Sequence, residues 1–366
     1  MMKDILPELN EKDYIKSIFN DYEIRFCKES EYTELVDFLN KYWRKNHIFV
    51  LSKEVLDFQH LDRKHHRYNF VIAKDKASKE IHSILGFVPT SHYDEDIKRT
   101  MVWPCIWKSR DDITRKGLGV SLYYYLKNTL PIETISILGI SEIALSIYKH
   151  WNFETGKIVQ YFLPNLEQDA TLSSGFEVLN NIEKDHFEDC FKLKAYSCEQ
   201  FQGISDKEEV FLKLSPYKSK KYYINRFFKH PIYKYQFYTI IDKDKIIAVM
   251  ITRVCGTQYG KCLRIVDFIG NIQALSGVVN QLLEILKMNG YEYVDFVEVG
   301  LEDEALLQAG FKRRKDYPNI IVPHYFEPFL KDNVDLDYAY KTVGVGDEKV
   351  FFKADADQDR PNILYN

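Results

Sequence analysis

The chain is 366 residues long, a length that suits two domains better than one. A hydrophobic fraction of 45% supports packed cores, and a formal net charge of −4 excludes any global attraction to nucleic acid, so phosphate contacts have to be local. The six cysteines include no C-x-x-C pair, no run approaches the roughly 20 apolar residues of a membrane span, and the opening MMKDILPELNEKDY holds no export segment. The expectation is a cytoplasmic protein with reduced thiols, no membrane insertion and no nucleic-acid partner.

Residues 24–27 suggest a short first strand, followed by an amphipathic helix marked by Leu35, Val36, Phe38, Leu39, Tyr42 and Trp43. Ser52 can cap a second helix carrying Val55, Leu56 and Phe58. Residues 68–73 and 81–88 are apolar strands joined by a charged turn, a hairpin pattern, and 101–108 (MVWPCIWK) is the next strand. After the polar 109–114, the run Arg115, Lys116, Gly117, Leu118, Gly119, Val120 opens a helix whose Leu118, Leu122, Tyr125 and Leu126 recur at helical spacing. Glycines there would let backbone approach an anion placed on the helix dipole, with Arg115 and Lys116 adding charge at the mouth. Residues 133–139 form another buried strand. Residues 141–151 form an amphipathic helix with Ile143, Ala144, Ile147 and Trp151 inward and Tyr148 toward the edge of that face.

In the order strand, two helices, three antiparallel strands, helix, strand, helix, strand, the first half resembles the GNAT superfamily of acyl-CoA-dependent N-acyltransferases. Gly117-x-Gly119 is similar to that family's phosphate turn, and Ala144 to Phe153 to its Ala…Tyr-x-x-x-Gly-Phe segment. Thr114, Ser141 and Asn152 depart from the family's usual residues at their positions. The resemblance implies acetyl-CoA as cosubstrate and no metal. It implies a cofactor site from Arg115, Lys116, Gly117, Leu118, Gly119 and Val120, with Ile106, Trp107 and Lys108 on the strand that pairs with the pantetheine arm through backbone groups. It also implies that Tyr148 protonates the departing thiolate. For the base that takes a proton from the amine, His47 after the first helix and His92 after the third strand are the candidates. Trp43 and Asp94 are candidate acceptor contacts.

The same order of elements returns after about residue 190: strands at 237–241, 246–254 and 262–269, a helix capped by Asn271 and ending at Asn289-Gly290, a strand at 291–297, a helix at 302–309, then Gly310-Phe311. The fold class expected is therefore α/β. It comprises two tandem GNAT-like domains, at 1–168 and 169–345, each a mixed, mostly antiparallel sheet flanked by helices, with a tail at 346–366. The second copy has Gly270-Asn271-Ile272-Gln273 where the first has its basic Gly-x-Gly turn, and Leu306 where the first has Tyr148, so it is expected not to catalyse. Arg253 and Arg264 stand in its apolar strands. Alternation can direct them to solvent, and a strand face lined by arginine suits an anionic acceptor. Asp355, Asp357 and Asp359 start a calcium-loop rhythm without its Gly or closing Glu, and a metal site is rejected.

Residues 43–61 and 353–362 further resemble tandem GNAT-like proteins of bacterial capsule and O-antigen assembly. That implies N-acetylation of a nucleotide-linked amino sugar as a small-molecule acceptor. Two alternatives stand beside it: a FemABX-like aminoacyl transferase, against which Gly117 and Gly119 count, and a non-catalytic CoA- or nucleotide-sensing module.

Overall fold

The computed structural model describes residues 17–98, 100–181, 187–211, 216–325, 327, 329–343 and 349–362. The opening residues considered above for export fall outside them up to residue 16, as do residues 344–348 and 363–366 around the expected tail. The chain folds into two units. The first runs to Ile137 and takes in Tyr340–Val343. The second comprises Leu138–Ala339 and the later segment ending at Asn362. Each is built on one mixed sheet flanked by helices.

The first unit has strands β1 (Tyr22–Lys28), β2 (Arg67–Asp75), β3 (Ile81–Pro89), β4 (Thr100–Ser109) and β5 (Ile132–Leu138), hydrogen-bonded in that order. The pairs β1/β2, β2/β3 and β3/β4 are antiparallel and β4/β5 is parallel. Every residue of β3 is buried, as a central strand covered on both faces should be. Its helices are α1 (Tyr32–Phe38), α2 (Ile48–Leu51), α3 (Lys53–His60) and α4 (Leu118–Thr129). Ser52 caps α3 as expected, accepting from the Val55 N–H at 3.3 Å. On α4 the buried face is Leu118, Ser121, Leu122, Tyr123 and Leu126. Tyr125, expected on that face, is half-buried and meets Phe26 edge-on.

The second unit opens with α5 (Glu142–His150), capped by Ser141. Its strands are β6 (Val159–Pro164), β7 (Lys192–Tyr196), β8 (Tyr235–Asp242), β9 (Lys245–Gly256), β10 (Lys261–Gly270), β11 (Tyr293–Val299), β12 (Lys312–Arg313) and β13 (Phe351–Phe352). They are ordered β12-β6-β11-β10-β9-β8-β7, with β13 against β11. The run β8, β9, β10, β11 repeats β2, β3, β4, β5, including the single parallel pair, here β10/β11. Helices α6 (Val279–Asn289) and α7 (Asp303–Gln308) stand where α4 and α5 stand in the first half of the sequence. Asn271 caps a 3-10 segment, Ile272–Val278, rather than the α-helix itself, and Gly290 closes α6 in the left-handed conformation (φ 64°) as its sequence predicts.

Two sequence expectations are corrected in this unit. Ile143, placed inward, is 78% exposed, whereas Tyr148 is the most buried residue of α5, packed by its ring against Trp151 and Phe153. Apolarity alone cannot set the rotation of so short a helix; the bulkiest ring took the inner position. The expected tail is also no appendage. From Phe351 to Ala356 every residue is buried, and β13 is a member of the sheet.

Candidate functional site

β4 is the strand around which the first unit's site is built. Against β3, Leu85 pairs with Trp107 and Phe87 with Pro104, so one residue of β3, Gly86, opposes two of β4, Cys105 and Ile106. This is a β-bulge, and it suits a proline that has no ladder N–H to donate. On the other side, β4 pairs with β5 only at Thr100, Met101 and Val102, opposite Ile132, Thr134 and Ile135. From Trp103 onward the two parallel strands separate, and among the described residues no further strand of the sheet enters that gap. Along that gap β4 has no strand partner on the β5 side among the described residues.

α4 begins close to the far end of β4. Its N-cap is Gly117, in the left-handed region at φ 74°, with no side chain to accept from the first-turn amides. A non-glycine residue would be strained there, so glycine both makes the turn and leaves the helix N-terminus uncapped. Gly119 is closely hemmed in for a different reason. A Cβ on it would lie 3.1 Å from Trp107 Nε1 and 3.3 Å from Ser109 Oγ, and the Trp107 indole donates to the Gly119 carbonyl at 3.0 Å. Trp107 also stacks on Tyr123. The role expected of Trp107 runs through its backbone and does not need its side chain. The structure adds that its side chain ties β4 to the first turn of α4, and a tryptophan on the strand preceding a Gly-x-Gly turn was the available signal.

The basic residues at this turn divide. Arg115 donates to Ser17 Oγ at 3.1 Å and lies 3.5 Å from the Asp21 carboxylate, so part of the charge expected at the mouth is already met. Lys116 is exposed. Lys108 is paired with Asp111. Ile106 is fully buried, and Leu118 faces the core.

The two histidines named as candidate bases both have hydrogen-bond partners within the fold. His92 Nε2 is 2.8 Å from the Phe58 carbonyl, which can only accept, so that nitrogen carries the proton. Nδ1 then accepts from Asn69 Nδ2 at 3.2 Å. His47 is buried and is the N-cap of α2, its Nδ1 accepting from the Phe49 N–H at 3.3 Å, which places its proton on Nε2. For either ring to take a proton from an amine it would first give up the hydrogen bond its Nδ1 accepts. Asp94 is buried, with Oδ1 accepting from the Asp96 N–H. Trp43 is 40% exposed.

In the second unit Arg253 and Arg264 do not turn to solvent, the alternative to the anion contact expected of them: both are buried, as cross-strand partners on β9 and β10. Arg264 makes a two-point ion pair with Asp295 (Nε–Oδ1 2.9 Å, Nη2–Oδ2 2.8 Å). Arg253 is bound to Asp359 (2.7 Å) and Glu327 (2.9 Å) and lies over the Tyr233 ring. Lys218 bridges Asp267 and Asp355 at 2.7 and 2.8 Å. Burial would push the Asp359 carboxyl up, but Arg253 holds it at about 2. Each guanidinium is neutralised within the fold, so an anion-binding role would first require breaking a buried pair. The turn before α6 also differs from its counterpart, because the Asn271 side chain accepts from the Gln273 N–H and occupies an amide that Gly117 leaves open in the first unit.

Glu298 on β11 supplies a pH test of this interior. Its Oε2 accepts from the Leu301 N–H at 2.8 Å, and burial raises its carboxyl from 4.5 to about 8. The folded chain keeps that proton while the unfolded chain releases it, so stability falls as pH rises from 4.5 to about 8. Glu298→Gln is expected to flatten that decline, measured as the urea midpoint against pH; an unchanged slope would assign it to another group.

No protein-family model matches this sequence, and no curated protein does. By structure the chain is similar to a GCN5-related N-acetyltransferase from Anabaena variabilis ATCC 29413, at 13% identity and TM-score 0.52, over 88% of this chain and 73% of that one. It is also similar to a GCN5-related N-acetyltransferase from Kribbella flavida, at 10% identity and TM-score 0.50, over 88% and 71%. The likeness is one of fold: the architecture is GNAT-like, and the chain carries it in tandem. Among the described residues no helix is long and apolar enough to cross a membrane, and no three metal-ligating side chains come together.

Proposed function

We propose that the protein is an acetyl-CoA-dependent N-acetyltransferase acting on an amino group of a nucleotide-linked amino sugar in cell-surface polysaccharide synthesis. The observation that supports this best is the combination, in one unit of GNAT-like fold, of a parallel pair that separates after Val102 and Ile135 with an uncapped helix N-terminus at Gly117. The gap offers β4 backbone to the amides of a pantetheine arm. The first-turn amides of Gly119 and Val120 offer hydrogen bonds and a positive dipole end to a pyrophosphate, with Lys116 adding charge. Tyr148 is assigned proton donation to the thiolate on its place in the Ala144–Phe153 segment. With His47 and His92 committed to the fold, the amine proton is assigned to water, and Trp43 is retained as an acceptor contact. The amino sugar, the polysaccharide role and a cytoplasmic site rest on the resemblance of residues 43–61 and 353–362 and on the absence of an export pattern.

The test is thiol release from acetyl-CoA across a panel of nucleotide-linked amino sugars, with mass spectrometry of the purified protein for bound CoA. Release that depends on the sugar is expected. CoA retained without release on any amine would favour the sensing module. In the same assay Gly119→Val should force its side chain into Trp107 and Ser109, a misfit of about 1–3 kcal/mol that falls on the cofactor turn. Calorimetry is expected to show acetyl-CoA affinity reduced on the order of ten- to a hundredfold with an intact circular dichroism spectrum. Unchanged affinity would remove the site assignment.

A further inference from the structure

The parallel pair of the second unit separates as that of the first does, but its gap is filled. β10 and β11 pair at Leu263–Val294, Arg264–Asp295 and Ile265–Phe296. Beyond that point β11 pairs instead with β13, Glu298 with Phe352 and Val299 with Phe351, while the Ala354 N–H donates to the Val266 carbonyl of β10 at 2.8 Å. Chain from near the C-terminal end thus lies between the two diverging strands, bonded to both. In the first unit, no strand among the described residues occupies the equivalent gap.

We infer that Phe351–Asp359 is a built-in occupant of the second unit's strand cleft, latched by Lys218–Asp355 and Arg253–Asp359, which excludes an extended thioester ligand there and leaves one such site per chain. This rests on the acyl-CoA reading above only for the identity of the excluded ligand.

The segment is shaped for the gap. The Asp355 N–H donates to the Phe352 carbonyl, and Asp355 Oδ2 accepts from the Phe352 N–H, closing a turn whose next residue, Ala356, is left-handed at φ 58°. A strand would normally continue there; the turn stops it after two paired residues against β11 and one hydrogen bond to β10. The Phe352 ring stacks on Phe296 of β11 at 5.6 Å. Two charged contacts fasten the ends, Asp355 to Lys218 and Asp359 to Arg253, and the Tyr235 hydroxyl donates to Asp359 at 2.8 Å. Arg226 Nη2 adds hydrogen bonds to the carbonyls of Ala354 and Asp359. An occupant held only by apolar packing could be exchanged for another apolar arm. One whose carboxylates share in neutralising buried cations cannot leave without stripping a partner from each, leaving Lys218 with Asp267 alone and Arg253 with Glu327 alone in a low-dielectric interior. This also explains why Arg253 and Lys218 are buried among apolar residues: they are the latch.

Hydrogen exchange by mass spectrometry on the full chain tests this. Without ligand, the amides of Phe352, Ala354 and Asp355 are expected to exchange as slowly as those of β10. In Asp355→Asn and in Asp359→Asn, which keep side-chain shape and, for the latter, leave Glu327 on Arg253, they are expected to exchange about tenfold faster or more while β8 and β9 keep their protection. Protection of 351–355 unchanged in both variants would overturn the latch. With saturating acetyl-CoA, protection is expected to rise over 103–120 and not over 263–268 or 294–299. A rise in those latter peptides with release of 351–355 would overturn the exclusion. Absence of any acetyl-CoA effect would sink the acyl-CoA reading, and the ligand-independent variants would still decide the latch.

Discussion

Arg264→Ala is expected to destabilise the second unit by about 3–5 kcal/mol, the range for breaking a buried ion pair from one side. Arg264 is 1% exposed and its partner Asp295 is fully buried, so the variant leaves a carboxylate in the core with one remaining side-chain hydrogen bond, from Gln160 Nε2 at 3.3 Å. Truncation also removes a guanidinium that lies over the Phe329 ring and donates to the Pro323 carbonyl. The double variant Arg264→Met/Asp295→Leu, which removes both charges and keeps volume, should recover most of the loss. Chemical denaturation followed by fluorescence measures both. A single variant within 1 kcal/mol of the parent would mean that water already reaches Asp295. The single variant is therefore a stability test, and any rise in acceptor KM has to be separated from unfolding before it is assigned to binding.

Tyr148→Phe is expected to lower turnover by about 10²–10⁴-fold, the usual contribution of a general acid, with the acetyl-CoA KM little changed because the proton matters only as the thiolate departs. The substitution keeps the ring. Its packing against Trp151 and Phe153, at centroid distances of 5.9 and 4.9 Å, should survive, and the thermal midpoint should move by no more than loss of one hydroxyl allows. Steady-state kinetics at saturating acceptor measures it. Turnover within threefold of the parent would leave Tyr148 as the inner aromatic of α5 and return the proton to solvent.

Much of the fold was legible because its signals are local. Apolar runs bounded by charged turns marked β2, β3 and the hairpin between them, and 3.6-residue spacing marked α4. Ser52 caps a helix, and Gly290 ends one, for reasons carried by one residue and its immediate neighbours. The glycine turn was equally legible, since only glycine combines φ 74° at position 117 with an absent cap.

What escaped the sequence depends on partners far along the chain. Arg253 finds Asp359 across 106 positions and Arg264 finds Asp295 across 31, so their charge suggested an open anion site where the fold holds closed pairs. His92 reads as an unattached loop side chain until its two nitrogens meet the Phe58 carbonyl and the Asn69 side chain. The C-terminal segment reads as an acidic tail until its aspartates are set against Lys218 and Arg253. Local propensity and periodicity thus determine which segments are strands, helices and turns, because those preferences act within a few residues. Which polar groups stay available for chemistry is decided only in three dimensions, because a buried charge or ring nitrogen must be paired and its partner is chosen by the fold.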